Sequence, residues 1–266
     1  MLRNSSRLKE EPVEEVQPAR TKKSWTRWLM IVILPAWVYI SFILAQLITS
    51  LVIEALISVG VPIKGLNENV LSTIISSFIY LLTISIAIYV PALVKRSSVN
   101  IRNLGFNRLP SWLDITMAPI GLVIYFIISM ILVTLATTFI PWFDVGQSQD
   151  TGFSQLFNKY EYVLAFVTLV IIAPIAEEIL FRGYLFGRLK KYVPLWVAIV
   201  ATSLLFGVIH GAWNLAVDTF ALSVVLCVLR QTTGSLWAPI LLHMSKNSIA
   251  FYLLFINPLL FHTLGG

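Results

Sequence analysis

Long apolar runs separated by short polar breaks make up nearly the whole chain, and the runs have the length of membrane spans. The first starts at Trp28 and continues through Ile48, or as far as Ile57 if it tilts or bends after Pro35; Val70 to Val94 and Ile115 to Ile140 are the next two. A polar loop from Pro141 to Glu161, holding Asp144 and Asp150, leads into a fourth run that ends at Arg188, Lys190 and Lys191. Val193 to His210, Asn214 to Leu229 and Leu236 to Leu254 are the fifth, sixth and seventh, and Phe255 to Leu264 is a short apolar tail. At 1.5 Å per helical residue, about 20 apolar residues cross the roughly 30 Å of hydrocarbon in a bilayer. The pattern predicts an all-α, polytopic helical membrane protein of about seven transmembrane helices, or eight if the tail joins a tilted or re-entrant segment. A membrane β-barrel would need short segments of alternating apolar and polar residues, a pattern the chain lacks.

Composition agrees, with 58% of the 266 residues hydrophobic and 12% charged. A net charge of +6 raises nucleic acid as a partner, but the basic residues sit in short loops beside apolar spans instead of on one soluble face. Seven precede Trp28, four lie between the second and third spans, three follow the fourth span, and Arg230 follows the sixth. These fifteen share one side, against Lys64 and Lys159 on the other, which predicts a cytoplasmic N-terminus and a lipid bilayer, not nucleic acid, as partner. Seven of the eight tryptophans, all but Trp37, fall at span ends, as an interfacial belt requires. Residues 1–27 mix both signs of charge and read as a disordered cytoplasmic tail, not a cleaved signal peptide. The single cysteine, Cys227, lies in an apolar run and reads as a packing residue.

Polar residues inside spans cluster after Tyr162. The division expected is therefore a tail (1–27), a three-span scaffold (28–160) and a catalytic transmembrane domain (161–266). The fourth span carries Ala-Glu-Glu-Ile-Leu-Phe-Arg at 176–182. One charge at a helix centre in the bilayer costs about 2.5–3.5 kcal/mol on insertion scales, so three together call for a functional reason. Glu178 and Arg182 are four apart and meet on one face, where they neutralise each other. Glu177 points about 100° away and has no partner in its own segment, which suits a general base. The alternative is one structural salt-bridge cluster of all three.

Two further pairs share this spacing: Phe206 with His210, and His243 with Asn247. An isolated intramembrane histidine is more often a packing residue, but two of only three histidines fall in such pairs. The third, His262, lies outside them. Lys246 is expected to snorkel or to pair with a carboxylate, and Asp218 and Asn214 to lie at an interface. Depth sets a test: counted from the cytoplasmic ends, Glu177, His243 and Asn247 lie about 10–16 Å deep and His210 about 20–25 Å. They converge only if the fifth helix starts above the membrane plane or tilts strongly. Convergence would form a water-filled cavity between helices four, five and seven.

Glu-Glu-x-x-x-Arg at 177–182, Phe-x-x-x-His at 206–210 and His-x-x-x-Asn at 243–247 resemble, in order and spacing, the motifs of the CAAX protease and bacteriocin-processing family of intramembrane proteases. The resemblance covers Tyr162 to Phe255. It implies an intramembrane endopeptidase with its active site inside the bundle. Glu177 and His210 would activate a water, and His243 and Asn247 would donate to the oxyanion. Glu178, Arg182 and Phe206 would support the site. The family is often called a metalloprotease, and Glu177, His210 and His243 could form a His₂Glu zinc set. Asparagine is a poor zinc ligand, however, and His-Glu-x-x-His is absent, so a glutamate-type hydrolase without an obligatory metal is favoured, with zinc as the alternative. The substrate implied is a membrane-associated peptide or protein: a prenylated C-terminal tail, a bacteriocin or pheromone precursor, or an anti-sigma-like protein. The expected setting is a prokaryotic plasma membrane. A non-catalytic immunity or scaffold protein of the same family is the competing reading; a proton-coupled transporter would want internal repeats, which are not found.

Overall fold

The computed structural model describes residues 24–147, 151–153 and 155–263. The tail expected at 1–27 falls outside the described residues apart from 24–27, and so does Asp150. Among the described residues every regular element is helical, as the apolar pattern predicts. The long helices are α1 (Trp25–Ser58), α2 (Glu68–Val94), α3 (Trp112–Phe139), α4 (Lys159–Leu189), α6 (Trp213–Thr233) and α7 (Trp237–Ile256), with the shorter α5 (Leu195–Val208) between α4 and α6.

Six of these are long and apolar enough to cross a membrane. The departure from seven lies in α5. Its 14 residues rise only about 21 Å. Pro194 stands at its N-terminal cap, and after Val208 the chain turns through Gly211, whose φ of +80° is left-handed. His210 therefore sits on a turn, not at the end of a full span. At the C-terminus Pro258–Thr263 adds only six helical residues, so there is no eighth span among the described residues.

Helix starts are fixed locally. Asn67 Oδ1 accepts from the backbone N–H groups of Asn69 and Val70 and caps α2. Ser111 with Asp114 and Asn158 with Glu161 form capping boxes on α3 and α4. Arg108 reaches back to both oxygens of Asp114, and that hydrogen bond holds its guanidinium proton more tightly than usual. Glu161 also accepts from Asn67 Nδ2 at 2.8 Å, which ties the start of α4 to the start of α2.

The buried side chains concentrate on α4 to α7. By contrast, α1 and α3 turn apolar residues such as Val32, Leu47, Val123 and Met130 outward, the expected face for lipid. Trp37, the one tryptophan away from a span end, donates to the Ala87 carbonyl at 3.0 Å. Ala87 lies in Ser85–Tyr89, where α2 widens to five-residue hydrogen bonds.

Asp218 turns inward against α3 and α7. Tyr125 and Ser129 of α3 donate to its Oδ1, both at 2.6 Å, and Lys246 Nζ of α7 stands 3.4 Å from its Oδ2. α3 supplies two hydroxyl donors that the spacing along α6 could not reveal. Asn214 does hold the loop, donating to the carbonyls of Val145 and Gln147.

α5 and α6 pack closely at Gly207, where an added Cβ would lie 2.7 Å from the Ala216 carbonyl oxygen. Gly207→Ala must move backbone, so it should destabilise by about 1–3 kcal/mol and lower the thermal midpoint of the purified protein.

Candidate active site

The site is built on α4, and α4 is an irregular helix. From Val167 to Ile172 and again from Ile179 to Phe186 it runs with five-residue hydrogen bonds, flanking an ordinary α-helical turn at Ala173–Glu178. Pro174 accounts for part of this. The Ala173 N–H bonds back five residues to the Thr168 carbonyl. In that register the next donor would be the N–H of residue 174, which proline lacks, so the Leu169 carbonyl has no partner within its helix. Asn247 Nδ2 of α7 fills the gap at 2.8 Å. Asn247 therefore spends one amide hydrogen on holding α4, whereas the sequence left the amide free for an oxyanion.

One turn on, Glu178 and Arg182 are both fully buried and pair at 2.8 Å, as their spacing requires. Glu178 Oε1 also meets His243 Nδ1 at 2.8 Å. A carboxylate paired with a guanidinium is ionised and can only accept, so His243 carries its proton on Nδ1. Its Nε2 then faces Glu177 Oε2 at 3.8 Å, too far for a direct hydrogen bond. The two adjacent acids thus approach one imidazole from opposite ends.

Glu177 has a partner that the sequence did not suggest. Tyr80 of α2 donates to Glu177 Oε1 at 2.8 Å. The only available signal was a tyrosine hydroxyl in mid-span, away from the belts where tyrosine usually sits. His210 Nδ1 lies 2.6 Å from the Phe206 carbonyl, which can only accept. Nδ1 therefore holds the proton here too, and Nε2 keeps its lone pair.

Phe206 packs at the centre of these groups. Its ring centroid lies 4.9 Å from the His210 ring, 5.9 Å from the His243 ring and 4.4 Å from Arg182 Cζ. The aromatic face thereby supplies some of the stabilisation that a buried cation needs.

Glu177 and His210 line one cavity of about 130 Å³. It lies between α1, α2, α4 and the turn after α5, not between helices four, five and seven as the sequence suggested. The reason is that His243 and Asn247 bond directly to α4, closing the α7 side. His210 and Glu177 can share the cavity despite the depth mismatch because α5 is short. Among the described residues no group of three His, Cys, Asp or Glu side chains is arranged to hold a metal ion.

Residues 159–249 match the family described as type II CAAX prenyl endopeptidase Rce1-like. An uncharacterised 24.3 kDa protein of Escherichia coli is 34% identical over 94 residues, 34% of this chain and 43% of that protein. The putative membrane peptidase YdiL of Bacillus subtilis is 26% identical over 106 residues, 40% of this chain and 43% of its own length. The membrane-embedded CAAX protease MroQ of Staphylococcus aureus is 27% identical over 120 residues, covering 42% and 49%. The chain spans about half the length of the curated relatives it matches. No solved structure matches it.

The two neighbouring acids should respond differently to amide substitution. Glu178→Gln leaves the Arg182 guanidinium buried without a counter-charge and should cost about 3–5 kcal/mol of stability, read as a lowered thermal midpoint. Glu177→Gln keeps an acceptor for Tyr80 and should stay within about 1 kcal/mol of the wild type.

Proposed function

We propose, from a chain whose residues 159–249 match the Rce1-like family of type II CAAX prenyl endopeptidases, that this multi-pass membrane protein is an intramembrane endopeptidase. Its substrates are membrane-associated peptides or proteins, of the prenylated-tail or peptide-precursor kind. The observation that carries the reading is that Glu177 and His210 share one cavity while Glu177 is also held by Tyr80 and faces His243.

Two acceptors, a Glu177 oxygen and His210 Nε2, can hold both hydrogens of one water and leave an oxygen lone pair for the peptide carbonyl. Glu177 takes the proton as the oxygen attacks, and the tetrahedral oxyanion forms. His243 Nε2 faces Glu177 Oε2 at 3.8 Å, and closing that gap by about 1 Å would bring it within hydrogen-bond reach of that proton. Once protonated, it donates to the oxyanion while Glu178 balances the imidazolium. Collapse breaks the C–N bond, and the proton returns through Glu177 to the departing amine. The second hydrogen of the Asn247 amide remains for the oxyanion. No step passes through a metal.

The loop charges support a cytoplasmic N-terminus, and the bacterial sources of the relatives favour a prokaryotic plasma membrane. The immunity or scaffold reading draws its support from His243 and Asn247 each bonding to α4, as structural residues do.

The test compares N- and C-termini of membrane proteins in cells carrying the wild type or Glu177→Gln at matched expression. New termini are expected with the wild type alone; an identical set in both, with a phenotype that Glu177→Gln still rescues, would leave the scaffold reading in front. Tyr80→Phe removes one hydrogen bond to a carboxylate. It should slow appearance of the same termini by about tenfold or more while leaving the protein folded.

A further inference from the structure

The ends of α4 and α6 bring together cations that no acid balances. Arg230, in the last turn of α6, is only 8% exposed. Its guanidinium rests on the backbone of Gly105, between α2 and α3, where an added Cβ would lie 2.8 Å from Nη2 and 2.9 Å from Cζ. One long hydrogen bond, from Nη2 to the Leu104 carbonyl at 3.5 Å, holds it there, and Nε has no partner among the described residues. Lys190 directly follows α4, and its Nζ donates to Gln231 Oε1 at 2.9 Å, beside Arg230 in sequence. Among the described residues neither cation, nor the adjacent Lys191, forms an ion pair. Arg108 on the same face differs, because Asp114 neutralises it.

Burial, and then the charges of Arg230 and Lys191, make the Lys190 ammonium release its proton more readily than an ordinary lysine. A buried guanidinium without a counter-charge is costly as well. An anion held at the two groups relieves both penalties. The donors suit a phosphate, since a guanidinium fork meets two of its oxygens and an ammonium adds a point charge.

Depth indicates where the phosphate comes from. Arg230 stands four residues before Gly234, which caps α6, so it lies about 6 Å inside the helix end. That end sits among interfacial residues: Arg108 Nη2 donates to the Thr233 carbonyl at 3.4 Å, Trp237 Nε1 donates to the Arg108 carbonyl at 2.8 Å, and Trp112 is exposed at the start of α3. Tryptophans of this kind mark the headgroup level of a bilayer. Choline and ethanolamine headgroups bring a cation of their own, so two unbalanced cations favour a lipid of net negative charge.

We propose that Arg230 and Lys190 form a phosphate site at the ends of α4 and α6, occupied by the phosphodiester of an anionic phospholipid in the adjoining leaflet. The proposal stands apart from the endopeptidase reading, because neither residue lines the cavity of Glu177 and His210. The bound phosphate ties α4 to α6 and to the Leu104–Gly105 turn. That turn already lies against α4 at Gly183, where an added Cβ would be 3.0 Å from the Leu104 carbonyl oxygen. Lipid composition thereby sets how firmly the helix bearing Glu177 is held.

The test uses the purified full chain in phosphatidylcholine nanodiscs containing increasing shares of phosphatidylglycerol. The thermal midpoint should rise by about 3 °C when phosphatidylglycerol reaches ten times its half-saturating share. Inorganic phosphate added to pure phosphatidylcholine nanodiscs should give no such rise. Arg230→Gln and Lys190→Gln should each at least halve the lipid-dependent rise, whereas Lys95→Gln, which removes an exposed charge between α2 and α3, should preserve it. In phosphatidylcholine alone both site variants should melt close to the wild type, because the charge they remove is unbalanced there. If Arg230→Gln does not fold, Lys190→Gln decides the matter.

An equal rise with inorganic phosphate assigns the site to a soluble ligand and overturns the lipid. A rise that survives in the site variants, or that Lys95→Gln reduces as much as Lys190→Gln does, reports diffuse surface attraction and overturns the site. Site variants whose midpoints fall equally with and without phosphatidylglycerol show a packing role and overturn it too.

Discussion

One carboxylate oxygen, Glu178 Oε1, accepts from both Arg182 and His243, each at 2.8 Å, and the remaining site geometry follows from it. In an interior that excludes water, a lone Glu178 or a lone Arg182 would cost several kcal/mol, so neither can shift without the other. Their pairing fixes the tautomer of His243, and the tautomer decides which ring nitrogen faces Glu177. Phe206 completes the arrangement by lying against Arg182 and both site histidines. Charge balance and chemical orientation here are the same set of contacts.

The irregularity of α4 serves the same end. A widened helix exposes backbone carbonyls that a regular one would consume, and such segments often accompany functional sites. In this protein the Leu169 carbonyl gives Asn247 a partner, and α7 is thereby held at a second point below His243. With α7 pinned directly to α4, the open volume is left on the opposite side, against α1 and α2. The spans that looked like scaffold therefore supply a hydrogen bond to Glu177 and half of the apolar wall beside it.

Similar logic governs the polar residues farther from the cavity. Asp218 and Lys246 are each costly within a bilayer, and they stand opposite each other with Tyr125 and Ser129 completing the hydrogen bonds of the acid. The arrangement links α3, α6 and α7. Glu161 and Asn67 link α4 to the start of α2 at the other end. These ties position the helices that the site residues stand on, so a short α5 can end on a turn and still deliver His210 to the cavity.

The sequence by itself determined the helical class, nearly every span, the Glu178–Arg182 pair and the four residues with candidate chemistry. Those features depend on local quantities: apolar run length against bilayer thickness, the cost of charge in hydrocarbon, and the 3.6-residue turn that brings i and i+4 together. It could not determine what lies across a helix interface. Tyr80 approaches Glu177 from 97 positions away, and Asn247 approaches Leu169 from 78. Nothing in one span's periodicity shows which carbonyl a proline elsewhere will leave unpaired, or which face of a neighbour will turn toward it. The partners of Glu177, the site of the cavity and the inward role of Asp218 were decided only by tertiary packing, because each is a property of two helices and is written in neither alone.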